Sequence, residues 1–533
     1  MFKKLFTTDV TNPTFFGASF QRISPDTKLW VAANNVVMSD NGYQVVPGPV
    51  YFSGSPNFGS GGLDTTSSIG TFPRGMHTHR RNNNLQQTYV QLRGTLLVVS
   101  GAAGLNIVTP TAGIVNGRGN DETRGFSTIA SWASGLANEI FFCDGVNRPC
   151  HRTGSGAFRY LTGTTNNFAT AEIVRILGSH VLFFATSSRH TFHWSDQDRF
   201  DSYTPEANNA AGDLTIYPLR GRISAAEHLG NDIAVYGQNQ QFIVFYQGPP
   251  FYFGWRKGAD EIGAYSKTAV VAVGNQHYGW GVNGIWVSDG LTARFIDGHD
   301  QLVGEQSVKE FINKYLNKRQ TGKIHGFHDS QRDCIVWWFP CLQPGDFGKD
   351  PTALTTEPSV ALVYNYARNC WSTYCLPSKR LYATASAPTG VYATPVFISN
   401  NLTLEASNTI SGATIYPRYW GYTSATHIEG TPMIATLTTG WLDFGDVVTQ
   451  KEVMEARLNM SFVSGSADFI YSTSQGDVSN GVTNRTIGIS SLLHRDRLRL
   501  SQSGRLHRFT LQSVGTSDFS FQGISLYGRA GGD

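Results

Sequence analysis

Three glycines are the first residues whose spacing points to chemistry. Gly279, Gly281 and Gly284 in GWGVNGIWVSDG keep the pattern G-x-G-x-x-G, which in dinucleotide enzymes cradles a pyrophosphate where a helix begins. The residues that follow, Ile285-Trp286-Val287-Ser288, are β-branched or aromatic and run into Asp289-Gly290, a hairpin dipeptide. No helix starts there, so the glycines are expected to serve a tight strand connection. Asp196, Asp198 and Asp201 in WSDQDRFDSY bring three carboxylates together but lack the spacing and helical frame of a calcium loop. A polar loop after a strand is the expectation. His77 and His79 in MHTHRR share one face of an extended segment, yet two imidazoles are an incomplete metal set.

The six cysteines fall into close pairs, Cys143 with Cys150, Cys334 with Cys341 and Cys370 with Cys375, and none has C-x-x-C spacing. Buried free thiols are expected. The sequence has no P-loop, no H-E-x-x-H, no EF-hand loop and no G-x-S-x-G elbow. Paired glycosidase carboxylates are not recognisable at this level, because the two arise on different repeats. No catalytic, cofactor-binding or metal-binding residue is therefore assigned, and no cofactor is expected. The most basic positions are Arg74, Arg80 and Arg81, then Lys314, Lys318 and Arg319, then Arg495, Arg497 and Arg499. Solvated surface is their ordinary role; the alternative is a wall facing DNA or a neighbouring subunit.

The elements that would carry these residues are strands. Of 533 residues only 15% are charged, 12% are aromatic and 57 are Gly, a profile that disfavours long solvated helices and favours short strands with tight turns. The formal charge of +3 is small for a chain that would grip nucleic acid tightly. No apolar run is long enough to cross a bilayer and the N-terminus lacks a signal-peptide core, so a soluble protein made in the cytosol is expected. Strand-and-turn patterns recur around Val98, Phe142, His193, Phe245, Val287 and Trp337, about 40–50 residues apart. That period, built only of strands, reads as a six-bladed β-propeller. The segment 307–320 has helical spacing of Val308, Phe311, Ile312, Tyr315 and Leu316, with Ser307 and Glu310 as a capping box, and reads as one short inserted helix. The all-β reading thus places a propeller at 85–385, inserted in a β-rich platform domain built from the two flanks, 1–84 and 386–533.

The ordered patterns HVLFFATSSRHTFHWSDQDRFDSY, NDIAVYGQNQQFIVFYQGPP, GIW at 284–286, LVYNYARNCWSTY and LHRFTLQSVGTSDFSFQGISLYG carry a resemblance. The chain resembles the tail nozzle (tail tubular protein B, or packaged-DNA stabilisation) proteins of short-tailed bacteriophages over most of 30–528. The resemblance implies a structural virion protein and no enzyme: a homo-hexamer below the portal-adaptor rings, bearing tail fibres or a needle and conducting genomic double-stranded DNA. It also implies a place in the virion tail, assembled in the bacterial host cytoplasm, and transfers no DNA-contacting residue. The alternative is a propeller glycan-binding or glycoside-hydrolase protein using loops on one face of the disc, although the repeated sialidase boxes are missing.

Overall fold

The computed structural model describes residues 3–9, 22–23, 30–39, 42–45, 49–51, 75–80, 86–92, 95–100, 104–107, 128–134, 137–153, 156–162, 167–298, 308–342, 354–375, 381–387, 396–401, 417–422, 427–428, 431–432, 434–444, 448–475, 481–490 and 497–530. The fold is a β-propeller joined to a β-rich platform. Six separate four-stranded sheets and one four-stranded section of a larger sheet follow one another along the chain. Units 1 to 7 occupy 75–107, 128–160, 171–215, 225–260, 270–295, 325–375 and 381–422. The first strand of each unit lies against the first strand of the next, and Leu381–Ala387 of unit 7 returns to Gly75–Arg80 of unit 1. These first strands are the inner wall of a closed ring.

Seven units among the described residues differ from the six expected. Four of the sequence centres, Val98, His193, Phe245 and Val287, lie on third strands of their units, whereas Phe142 and Trp337 lie on second strands. Unit 7 falls largely in the segment read as platform. Its fourth strand, Pro49–Tyr51, comes from the N-terminal flank and pairs antiparallel with Pro417–Tyr422. Sequence-distant strand pairing therefore closes the ring, and no local pattern announces it.

Apolar side chains between sheets fix the units against each other. The second strand of unit 3, His180–Thr186, is buried along its whole length. Val181 and Phe183 pack toward Phe141 and Leu161 of unit 2, while Leu182 and Phe184 pack toward Ile233 and Val235 of unit 4. Alternation sends successive residues to opposite faces, and both faces are covered, so the strand reads as a continuous apolar run.

The glycines answer the opening question. Gly279 and Trp286 are directly opposed across an antiparallel pair, and a Cβ on Gly279 would overlap the indole. The Trp286 indole N–H donates to the Gly263 carbonyl at 2.8 Å. Gly284 sits at φ +139° against Asp297, a position closed to a side chain. The pattern is strand, turn, strand, with no helix and no anion cradle. The same aromatic-on-glycine pairing recurs with Trp194 over Gly212, Phe245 over Gly254 and Trp337 over Gly326.

The platform is organised by two long strands, Lys451–Ser474 and Leu506–Ala530. They pair antiparallel from Lys451–Ala530 to Ser474–Leu506, with register shifts at 453/455, 459/460, 462/464 and 464/466. Across these shifts the apolar set changes parity twice: Val453 is buried, then Ala456, Leu458 and Met460, then Ala467, Phe469 and Tyr471. Lys3–Asp9 and Gly42–Val45 add to the later half of Leu506–Ala530, and Thr436–Thr439 to its earlier half, so both flanks build one platform. The strand Trp30–Asn34 joins this sheet to the outer strand of unit 6 through Asn34 and Thr373. One core then runs from Trp280 and Trp337 through Phe311 and Tyr315 to Tyr43, Leu511 and Phe521.

The inserted helix is Val308–Tyr315, shorter than expected. Val308, Phe311, Ile312 and Tyr315 face that core. The helix stops because the Asn317 N–H donates to the Pro340 carbonyl at 3.0 Å instead of continuing the helical ladder. Ser307 and the Glu310 side chain lie outside the described residues. Cys143, Cys150, Cys334, Cys341 and Cys370 are buried free thiols, as expected.

Gly279→Ala is expected to lower unfolding free energy by about 1–3 kcal/mol through overpacking, read as a shift in urea midpoint. Adding Trp286→Phe should recover part of that loss, because the smaller ring clears the new methyl group. A double variant that is merely the sum of its parts would reject direct contact as the cause.

Candidate functional site

Charged side chains of two neighbouring inner strands meet on units 3 and 4. The inner strand of unit 3 reads AEIVRIL and that of unit 4 reads AAEHL. Arg175 of the first and Glu227 of the second form an ion pair at 2.7 Å, with side chains 12% and 26% exposed. Arg175 also donates to the Val174 carbonyl at 2.8 Å. Burial alone would raise the Glu227 carboxyl; Arg175, then His228 and His277, and the His228 backbone N–H outweigh it and hold the group below the ordinary carboxylate range. Burial likewise pushes the His228 imidazole down, against the pull of Glu227.

Behind this pair a hydrogen-bond relay locks unit 4 to unit 5. His277 Nε2 lies 2.6 Å from the His228 carbonyl, which can only accept, so this nitrogen carries the proton. Nδ1 then accepts from the Tyr236 hydroxyl at 2.7 Å. Tyr236 in turn accepts from Gln241 Nε2 at 3.0 Å, and Gln241 Oε1 accepts from the Ala259 N–H at 3.0 Å. The His277, Tyr236 and Gln241 side chains of the relay are buried and partnered, so the backbone beside Glu227 is held in place.

At the end where inner strands begin, four chain segments meet. Asp144 and Gly145 come from the turn after the second strand of unit 2, and Glu172 from the start of the inner strand of unit 3. Arg222 comes from the connection between units 3 and 4, and Lys267 from that between units 4 and 5. Glu172 Oε1 meets Arg222 Nη1 at 3.3 Å, the side chains 28% and 49% exposed. Gly145, at φ +81°, lies so close that an added Cβ would stand 2.6 Å from Glu172 Cγ. The Asp144 carboxylate accepts from the Val146 and Asn147 N–H groups at 2.9 and 2.7 Å and from Asn147 Nδ2 at 2.6 Å. Lys267 Nζ reaches the Glu172 carbonyl at 3.4 Å. Arg175 and Glu227 lie further along the inner strands of units 3 and 4, which begin at this mouth.

None of the positions expected from sequence contributes to it. Arg74, Arg81 and Arg495 lie outside the described residues, as do the side chains of Arg80, Lys314, His77 and His79. Lys318 and Arg319 are exposed in the turn after the helix, and Arg497 and Arg499 are exposed on the platform, where Arg497 stands 3.8 Å from Glu455. The described basic residues thus lie in two places, the turn after the helix and the platform. Asp196 closes the loop 195–211 by accepting from the Gln197 and Ala210 N–H groups at 2.9 and 2.8 Å. It is a turn residue, as expected. Among the described residues no group of three or more His, Cys, Asp or Glu could hold a metal, and no helix is long and apolar enough to cross a membrane.

No family model and no curated protein matches the chain. Similar solved structures include an exo-β-1,3-galactanase from Phanerochaete chrysosporium, 10% identical over 81% of this chain and 100% of that one, with a TM-score of 0.25. An arabinoxylan arabinofuranohydrolase from Bacillus subtilis is 10% identical over 87% and 98%, TM-score 0.25. A β-fructofuranosidase from Bombyx mori is 9% identical over 86% and 91%, TM-score 0.26. At these values the likeness is one of fold alone. The expectation of a tail nozzle without enzymatic activity is corrected here: the similar structures named are glycoside hydrolases, and none is a tail protein.

Acid should expose the burial of His325, the first residue of the inner strand of unit 6. Burial holds its imidazole down at about 3, although the Lys323 carbonyl raises it. The unfolded chain takes up a proton near pH 6.5 and the folded chain does not, so stability falls as pH drops from about 6.5 toward 3, by about 1.4 kcal/mol per pH unit. Glu227 acts in a lower window: its contribution is complete above the unfolded carboxyl value and is lost as pH falls through its depressed folded one. His325→Gln should flatten the slope of urea midpoint against pH between 6.5 and 4.5. An unchanged slope would show that His325 is not the titrating group.

Proposed function

We propose that the chain is a carbohydrate-acting β-propeller whose sugar ligand enters at the mouth formed by units 2 to 5. The observation that carries this reading is the Arg175–Glu227 pair on neighbouring inner strands, with Glu172 on the same wall as Arg175. Glycoside cleavage needs two carboxyl groups on opposite sides of a bond, and a charge that remains negative while the ring gains oxocarbenium character. Glu227 is suited to that second task, because Arg175 and its neighbours keep it ionised. Glu172 is the other carboxyl group of the mouth. The sheet frame holds both on strands rather than on loops, which keeps their separation fixed.

A panel of aryl glycosides and polysaccharides, followed by release of aryl alcohol or reducing ends, tests the reading. One sugar class is expected to be cleaved, and Glu227→Gln or Glu172→Gln to lower kcat/KM by about 10²–10⁴-fold with melting temperature nearly unchanged for Glu172→Gln. Binding without cleavage on a glycan array would reduce the activity to sugar recognition. Neither binding nor cleavage across the panel would overturn the proposal.

A further inference from the structure

We infer that the mouth receives an acidic sugar, its carboxylate seated on the Lys267 ammonium with Arg222 beside it. This rests on the carbohydrate reading and names the ligand class within it. Lys267 is 8% exposed, although a lysine normally keeps its charged end in water. Its side chain starts in the connection leading to unit 5 and ends at the backbone of unit 3, so it crosses the start of the inner strand of unit 4 that lies between. That path lies along the mouth.

The ammonium has no carboxylate within ion-pairing distance among the described residues. Among those residues its acceptor is the Glu172 carbonyl at 3.4 Å, a long contact for a group with three N–H bonds. The carboxylates nearby are committed elsewhere, Glu172 to Arg222 and Asp144 to three N–H donors. A cation withdrawn from water is strongly unfavourable unless a counter-ion contacts it, and the Glu172 and Asp144 carboxylates act on Lys267 without such a contact. Its burial depresses the lysine below its ordinary range, with the Glu172 carboxylate opposing that shift. A ligand carboxylate supplies the missing partner, and the half-exposed Arg222 guanidinium adds a planar fork suited to the same group. Inorganic phosphate shares this chemistry, and the experiment separates the two.

The test is calorimetric titration of the full chain at pH 7 with uronic-acid oligosaccharides of several linkages, each as the free acid and as its methyl ester, and with inorganic phosphate. At least one free acid is expected to bind ten-fold or more tighter than its ester. Lys267→Met should bring the acid to the affinity of the ester and leave the ester unchanged. Lys267→Arg, which keeps the charge, should retain the preference. Arg222→Gln should weaken the acid by a smaller factor. Thermal melting of Lys267→Met alongside the parent chain shows whether the variant is folded; if it is not, the Arg222→Gln and Lys267→Arg results decide. Equal binding of acid and ester overturns the inference and leaves the carbohydrate reading standing. Lys267-dependent phosphate binding with no sugar binding overturns both, and assigns the mouth to a free anion.

Discussion

Closure of the ring governs everything else in this molecule. A sheet of four strands has two exposed edges and two faces, and seven such sheets become stable only when each covers the faces of its neighbours. The first strands meet in an unbroken circle from Gly75–Arg80 to Leu381–Ala387. The last unit is completed by a strand that precedes the first unit in sequence. Its pairing links positions separated by most of the chain, so all the units between are held in one loop whose ends cannot drift apart.

Inside that frame, the same few contacts are used repeatedly. Aromatic rings lie across glycines on the adjacent strand, which brings backbones close and gives each indole N–H a carbonyl to meet, as Trp194 finds Ala210 and Trp337 finds Ala269. Apolar layers between sheets do the bulk of the stabilising, at about 1.5–3 kcal/mol for each large side chain removed from water. Charged groups on the inner wall are met by partners, as Arg175 meets Glu227 across two units and Asp329 meets Arg332 within one. Lys267, in the connection to unit 5, is buried with only a carbonyl in reach among the described residues, at the convergence of four segments.

Much of the architecture was legible from residue order. Ile285-Trp286-Val287-Ser288 after the three glycines excluded a helix, and the strand there agrees. The helical spacing from Val308 to Tyr315 was also readable, but its end was not, because the bond from Asn317 to Pro340 is tertiary. Unit 7 was hidden because its fourth strand lies hundreds of residues upstream of the other three. The site itself was illegible for a related reason. Arg175 and Glu227 are ordinary residues in their own segments, and only the neighbouring of inner strands makes them a pair. One signal was available: a charged residue in the middle of an apolar strand, as in AEIVRIL, needs a reason to be there.

The shared core of units 5 and 6, the helix and the platform makes the ring mechanically uneven. On that side the disc is welded: Trp280, Phe311 and Phe521 belong to one packed mass, so any torque on the platform is delivered to those sheets. Next to that sector, unit 7 is fastened by a clasp of three backbone-paired residues, Pro49, Val50 and Tyr51. A washer built this way has a keystone and a buckle, and it yields at the buckle while the keystone sector, with the mouth adjoining it, keeps its shape.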